Sequence, residues 1–148
     1  MNIPSQPPRL PRYVGFWWRV LASLVDTVWL VILIIPLLLW VYGTSYFMED
    51  AWVQGPADIL INYGLPALAV VLFWVYLAAT PGKMVIRSII VDADTLTRPT
   101  LRQCVIRYLG YFVSTFGLFL GFIWVAFDKR KQGWHDKMAR TVVIFKED

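Results

Sequence analysis

Residues 20–42, VLASLVDTVWLVILIIPLLLWVY, leave this chain few options. As a helix the run is about 35 Å long, enough to cross a hydrocarbon layer of about 30 Å. Its only formal charge is Asp26. A second apolar run covers residues 59–79, roughly 30 Å of helix. Composition closes the alternative of a soluble domain with an unusually large core. Charged residues make up 16% of the 148 and hydrophobic ones 58%, where a soluble domain carries about 25% charge. The net charge of +4 is accounted for by basic flanks, so no nucleic-acid partner is implied. A lone Cys104 cannot form an internal disulfide.

The sequence predicts an all-α membrane protein. Span one covers about 20–42, with Trp17 and Trp18 at one interface and Trp40, Tyr42 and Tyr46 at the other. Pro36 is expected to kink it. Span two covers 59–79, with Gly64 and Pro66 weakening its first turn. Trp124 and Trp134 are read as further belt residues, whereas Trp52 and Phe47 in the loop between the spans are left for the membrane surface or a partner. The segment before the first span, residues 1–14, reads as an extended, disordered Pro-rich basic tail, because Pro4, Pro7, Pro8 and Pro11 oppose a helix. That segment has the charge of a signal peptide, but the apolar core after it is too long and has no small-residue cleavage site.

Charge sets an orientation. Arg9, Arg12 and Arg19 precede the first span, none lies in residues 44–58, and Lys83, Arg87, Arg98, Arg102 and Arg107 follow the second. The positive-inside rule then places the N-terminal flank and residues 80–104 in the cytoplasm and residues 44–58 outside, in a multi-pass membrane protein.

The third apolar segment, 105–127, leads to a tail with six basic residues. If it enters and turns back at Gly117 and Gly121, the tail stays inside. The strand candidates VIRSIIV (85–91) and TVVIF (141–145) can then pair as a small cytoplasmic hairpin-like sheet. If it crosses straight, Gly110, Ser114, Gly117 and Gly121 form a small-residue stripe suited to tight helix packing. The charge asymmetry favours the re-entrant or interfacial reading.

An ionisable group inside hydrocarbon marks a partner, a cavity or a task. Arg19 and Asp26 lie seven residues apart, on one helix face and about 10 Å apart along the axis. Arg107, at the mouth of the third segment, is the expected partner of Asp26. Asp128 is expected to end the third helix, and Asp136 to cap or salt-bridge the turn that follows. Lys83, in TPGKM, is expected at the headgroups. His135 beside Asp136 suggests a metal-dependent phosphohydrolase, but one histidine cannot build such a centre, and no zinc or iron site is expected. Gly82-Lys83 is not a phosphate loop, since Leu77 and Met84 stand where Gly and Ser or Thr are needed. With no nucleophile–base pair and no cofactor motif, enzyme activity is not expected.

GFWWRVLASLVD (15–26), TPGKMVIRSIIVDADT (80–95), LRQCVIRYLGY (101–111) and FDKRKQGWHDKMARTVVI (127–144) together make the chain resemble the RDD family of integral membrane proteins. The resemblance covers nearly everything after residue 14. It implies that Arg19, Asp128 and Asp136 are the residues that give the family its name. Asp26 fills an acidic position frequent in the first span of relatives. Many relatives have a Pro-Gly-like break in the third segment where this chain has FGLFLGF. Transport of unidentified ligands, and cation/proton exchange in some members, are the activities the resemblance brings into view.

The motif residues Arg19, Asp26, Asp128 and Asp136, with Lys83, Arg107 and His135 in support, are therefore the expected polar cluster. Two functions compete. A transporter, necessarily a homo-oligomer at this size, would use Asp26 in a proton or cation path. An accessory subunit would pack its small-residue stripe and aromatic outer loop against a larger membrane complex.

Overall fold

The computed structural model describes residues 9–147. Helix α1, Phe16–Tyr42, is unbroken over 27 residues and keeps Pro36 inside it. It begins four residues earlier than the apolar run, so Arg19 lies in its first turn. A 3₁₀ turn, Thr44–Phe47, and a short loop lead to α2 (Pro56–Ile59) and α3 (Leu65–Leu77). These two are one continuous helix, joined by a π turn at Leu60–Gly64. The weak point expected at Gly64 thus appears as a widened turn rather than a break.

α1 and Pro56–Leu77 are both long and apolar enough to cross a membrane. Only 6% of the first apolar window and 11% of the second are buried within the protein. The aliphatic sides of both helices therefore face outward, a surface that needs a lipid or protein cover.

After the second helix the chain makes a single turn, α4 (Pro81–Val85), then strand β1 (Ser88–Asp92). Asp92 closes the following turn by accepting from the backbone N–H groups of Thr95 and Asp94 and from Gln103 Nε2, which hold its carboxyl down at about 2. Helix α5 (Leu101–Phe116) opens on a reciprocal Thr100–Gln103 cap. At residues 117–119 the chain bends by 112° into α6 (Leu120–Ile123). The bend is backbone-built: Leu118 and Phe119 both have positive φ, 57° and 61°. A 3₁₀ turn, Trp124–Ala126, precedes α7 (Trp134–Ala139) and β2 (Thr141–Phe145).

β1 and β2 pair antiparallel, Ser88 opposite Phe145 and Asp92 opposite Thr141. Paired strands lie on one side of any bilayer the chain crosses, so the bent α5–α6 unit returns the chain to the side it left. This favours the re-entrant reading over a straight third span. The small-residue stripe is used up by that return. A Cβ at Gly110 would stand 2.7 Å from His135 Cα, one at Gly117 2.6 Å from the Trp134 ring, and one at Gly121 2.6 Å from Ser114 Cβ. These positions serve contacts inside the chain instead of offering a face to a partner.

The tail expected before the first span is corrected over its described part. Tyr13 bridges to Ile144, Phe145 N–H donates to Arg12 O at 2.9 Å, and Val14 N–H donates to Val143 O at 2.9 Å. Val14 is fully buried, with Ala22, Trp74, Ile90, Cys104 and Val143 in the main core. Residues 1–8 of that tail lie outside the described residues. The strand expected over 85–91 is shifted to 88–92, because Pro81–Val85 takes up the helical turn α4.

Candidate functional site

Asp136 is the hub. It sits in the first turn of α7, where its carboxylate accepts the Gly133 N–H at 2.9 Å and so satisfies a free donor of the helix start. The same oxygen, Oδ2, takes Arg19 Nη1 at 2.5 Å, and Oδ1 takes Arg107 Nη1. Arg107 Nη1 also donates to Thr141 Oγ1 at 2.8 Å. Arg19 spreads its other donors over main-chain oxygens, Nε to Val14 at 3.1 Å and Nη2 to Lys131 at 2.5 Å. One arginine from α1 and one from α5 are thereby tied to α7, to the N-terminal segment and to the turn before α7.

Asp136 is fully buried and Arg107 is 1% exposed. Burial alone would raise the Asp136 carboxyl, but the guanidiniums of Arg107 and Arg19 outweigh it and hold the group ionised, far below the usual carboxylate range. A buried ion cluster of this kind is a poor source of net stability. It becomes a large liability when one member is lost.

Asp128 does not join the cluster directly. Its Oδ2 accepts the N–H groups of Arg130 and Gln132 at 3.0 and 3.1 Å, and Oδ1 pairs with Lys137 Nζ at 2.7 Å. It folds the turn 128–132, which in turn delivers the Lys131 carbonyl to Arg19. Arg19 and the two aspartates are thus linked in series rather than as one triad.

Asp26 has a different environment from the one expected. Arg107, its expected partner, is committed to Asp136 instead. Asp26 accepts from Thr80 Oγ1 at 2.5 Å, Gly82 N–H at 2.8 Å and Trp29 Nε1 at 2.9 Å. The carboxylate caps α4 from across the helix–helix contact. Gly82 allows that approach: a Cβ there would overlap the Ala22 carbonyl oxygen and stand 2.9 Å from Asp26 Cγ. The TPG of TPGKM is therefore a docking turn for α1.

Lys83 is also not where it was expected. It is only 9% exposed, turned inward by the α4 turn rather than out to headgroups. It lines a cleft of about 590 Å³ between α1, α3, α4 and the α5–α7 unit. Arg19, Asp26, Thr80, Arg107 and His135 line one part of the cleft, and side chains such as Val20, Leu30, Val70, Phe119 and Phe122 form the apolar remainder. His135 is 3% exposed, with rings of Tyr111 and Phe122 at 4.5 and 5.3 Å and Ser114 Oγ 3.5 Å from Nδ1. Burial pushes its pKa down to about 3; Asp136 pulls up, and Arg107, Arg19 and Lys83 push down further. His135 is a neutral ring at physiological pH.

The structure brings Arg19, Arg107, Asp136 and His135 together, sets Lys83 and Asp26 on the same cleft, and leaves Asp128 in the supporting turn. Trp74, Thr80 and Thr141 belong to the site without having been singled out as site residues, and Gly82 was weighed only as part of a phosphate loop. The TPGK and ARTVV segments that carry three of them were visible, but their roles depend on contacts across the fold. Trp74 is fully buried under Arg107, whose Cζ lies 5.3 Å from its ring centre. Among the described residues no group of three or more His, Cys, Asp or Glu is placed to hold a metal ion.

The sequence matches the model of the RDD family over residues 13–140, which includes Arg19, Asp26, Lys83, Arg107, Asp128, His135 and Asp136. It is 29% identical over 157 aligned positions to the uncharacterized protein YxaI of Bacillus subtilis (strain 168), covering 93% of this chain and all of that one. It is 46% identical over 72 positions to the uncharacterized protein RP437 of Rickettsia prowazekii (strain Madrid E). That match covers 49% of this chain and 39% of the relative, so the matched region spans about two fifths of that protein's length. No solved structure matches.

Proposed function

The chain belongs to the RDD family, and from that premise we propose that it is a ligand-handling transport protein of the bacterial inner membrane, acting as a homo-oligomer. In this reading it crosses the membrane with two helices, keeps residues 12–19 and the β1–β2 pair on the cytoplasmic side, and admits its ligand to the cleft beside Arg19 and Lys83. The observation that carries it is the cleft itself. Ionisable side chains from α1, α4, α5 and α7 converge on one apolar-walled space next to a candidate span, the setting expected of a ligand or ion pathway. Two candidate spans and one bent pair do not enclose a pathway alone, hence the oligomer.

The polar cluster has two parts in this reading. The Arg19–Asp136–Arg107 linkage is the frame, and Lys83 with the adjoining cleft is the working surface. Asp26, engaged by three donors, acts as a cap rather than as a proton carrier.

A second reading, an accessory subunit of a larger membrane complex, is favoured by one feature. The outer loop presents Trp52 and Met48 at 100% and 84% exposure beside Trp40 at 83%, side chains typical of a contact surface. Weighing the intact particle extracted in native lipid nanodiscs separates the two. A homo-oligomer free of other proteins supports transport. A larger protein present in stoichiometric amount overturns it in favour of the accessory role.

A further inference from the structure

The polar atoms left without partners around the cleft are all donors. Lys83 Nζ makes no hydrogen bond or ion pair among the described residues, although the residue is nine-tenths buried. Trp74 Nε1, Arg107 Nε and Arg107 Nη2 are buried without hydrogen-bond partners. All three residues line the same cleft. No buried side-chain oxygen is orphaned among the described residues. Buried polar groups are normally satisfied, and unsatisfied ones require an explanation.

Charge points the same way. The two arginines share Asp136, and Asp26 is engaged by neutral donors. Lys83 therefore has no carboxylate of its own. Its ammonium is not among the sealed atoms and lines the cleft, so an anion in the cleft can pair with it. The remaining wall is aliphatic and aromatic, from Val20 and Leu30 on α1 to Val70 on α3 and Phe119 and Phe122 on the bend. A volume of about 590 Å³ lies within the range of roughly 300–1,000 Å³ for small-molecule sites.

We propose that the cleft binds an anionic single-chain amphiphile, with its oxyanion head against Lys83 and its acyl chain along the wall from α1 to Phe119. This names the ligand class for the transport reading above and rests on the same cleft. The chemistry recognised is an acceptor-only headgroup joined to an apolar chain. A small free anion leaves the wall unused, and a neutral lipid leaves Lys83 unpaired.

The test uses the full chain in phosphatidylcholine nanodiscs, with intact-particle mass spectrometry as readout and oleate as probe. Oleyl alcohol tests the need for charge and acetate the need for a chain. Oleate is expected to bind one per chain, with both controls at least about tenfold weaker. Lys83→Met is expected to weaken oleate by a similar factor of at least about ten, and Lys83→Arg to retain it. Equal binding of oleyl alcohol overturns the role of charge, and equal competition by acetate overturns the amphiphile. Oleate binding unchanged in a folded Lys83→Met protein overturns the site. If that variant does not fold, the comparison of oleate with its two controls on the unaltered protein still decides. A stoichiometric protein partner would refute transport without touching these outcomes, and failure of oleate binding would refute the ligand class while leaving a homo-oligomer intact.

Discussion

Arg19 and Asp136 stand 117 residues apart in the chain and meet as an ion pair of 2.5 Å. The contact fastens the first turn of α1 to the first turn of α7, and Arg107 fastens α5 to the same carboxylate. Removing the carboxylate strands two guanidiniums. Asp136→Asn is expected to cost about 3–5 kcal/mol of stability, read as a large drop in the thermal unfolding midpoint in nanodiscs. Adding Arg107→Met should recover part of that loss, because one of the stranded charges is then gone. A double variant no better than Asp136→Asn alone would contradict the shared-carboxylate arrangement.

Acid should destabilise the protein well before its carboxylates titrate. His135 is held neutral when folded, with its pKa lowered to about 3 from 6.5. Between these values the unfolded chain binds a proton that the folded chain refuses. Stability therefore rises with pH across that window and is lost as pH falls below about 6.5, by up to about 1.4 kcal/mol per unit. Asp136 adds its own loss only below its unfolded value near 4, since its folded pKa is depressed. His135→Phe, which keeps a ring against Tyr111 and Phe122, should flatten the slope between pH 6.5 and 4 while leaving the loss below pH 4. Unfolding midpoints measured at half-unit steps of pH check this.

Gly82 and Gly15 should respond oppositely to the same change. Gly82→Ala drives a methyl into the Ala22 carbonyl and the Asp26 carboxylate, an overpacking worth about 1–3 kcal/mol or more. Gly15→Ala meets nothing within 4 Å, at an extended φ of −72° and ψ of 174°, and should stay within about 0.5 kcal/mol of the parent. Thermal midpoints of the two variants, side by side, decide it.

The return of the chain at residues 117–121 depends on Ser114 and Gly121 touching. Gly121→Ala should destabilise by about 1–3 kcal/mol, and Ser114→Gly in the same molecule should restore part of the loss by vacating the Cβ and Oγ positions. A double-mutant cycle with additive effects would contradict the contact.

Asp26→Asn keeps the shape of the side chain but replaces one acceptor with a donor facing donors from Thr80, Gly82 and Trp29. A loss of about 1–3 kcal/mol is expected, with oleate binding retained in the folded fraction. Abolished binding in a fully stable protein would move Asp26 from cap to ligand contact.

The two long helices were legible because a run such as 20–42 has one physical solution in lipid. The β1–β2 pair was legible too, since β-branched residues 89–91 and 141–144 stand out from their surroundings. Arg19 and Asp136 were marked by family resemblance, and Arg107 only by its charge. What sequence could not give was the pairing. Seven-residue spacing put Arg19 and Asp26 on one face of α1, and both do line the cleft, yet they turn to different elements, Arg19 to α7 and Asp26 to α4. Lys83 looked like an interfacial lysine because it follows the end of the second apolar run. Its burial follows from α4 docking through Gly82, where a residue with a Cβ would overlap the Ala22 carbonyl. The turn at Gly117 and Gly121 was legible from the charge of the tail, but the use of Gly110, Gly117 and Gly121 for contacts within the chain follows from the 112° bend itself.

The joining of residues 12–19 to residues 131–145 also has a consequence in time. During synthesis α1 is complete long before Asp136 and the last strand exist. Until they emerge, Arg19 lacks its carboxylate and Val14 N–H lacks its acceptor, so a nascent chain halted in between carries Arg19, and once made Arg107, with no counter-ion on α7. The Arg19–Asp136 pair can form only after α7 has been made, so the first turn of α1, among the first parts of the described chain to be synthesised, is among the last to gain its counter-ion.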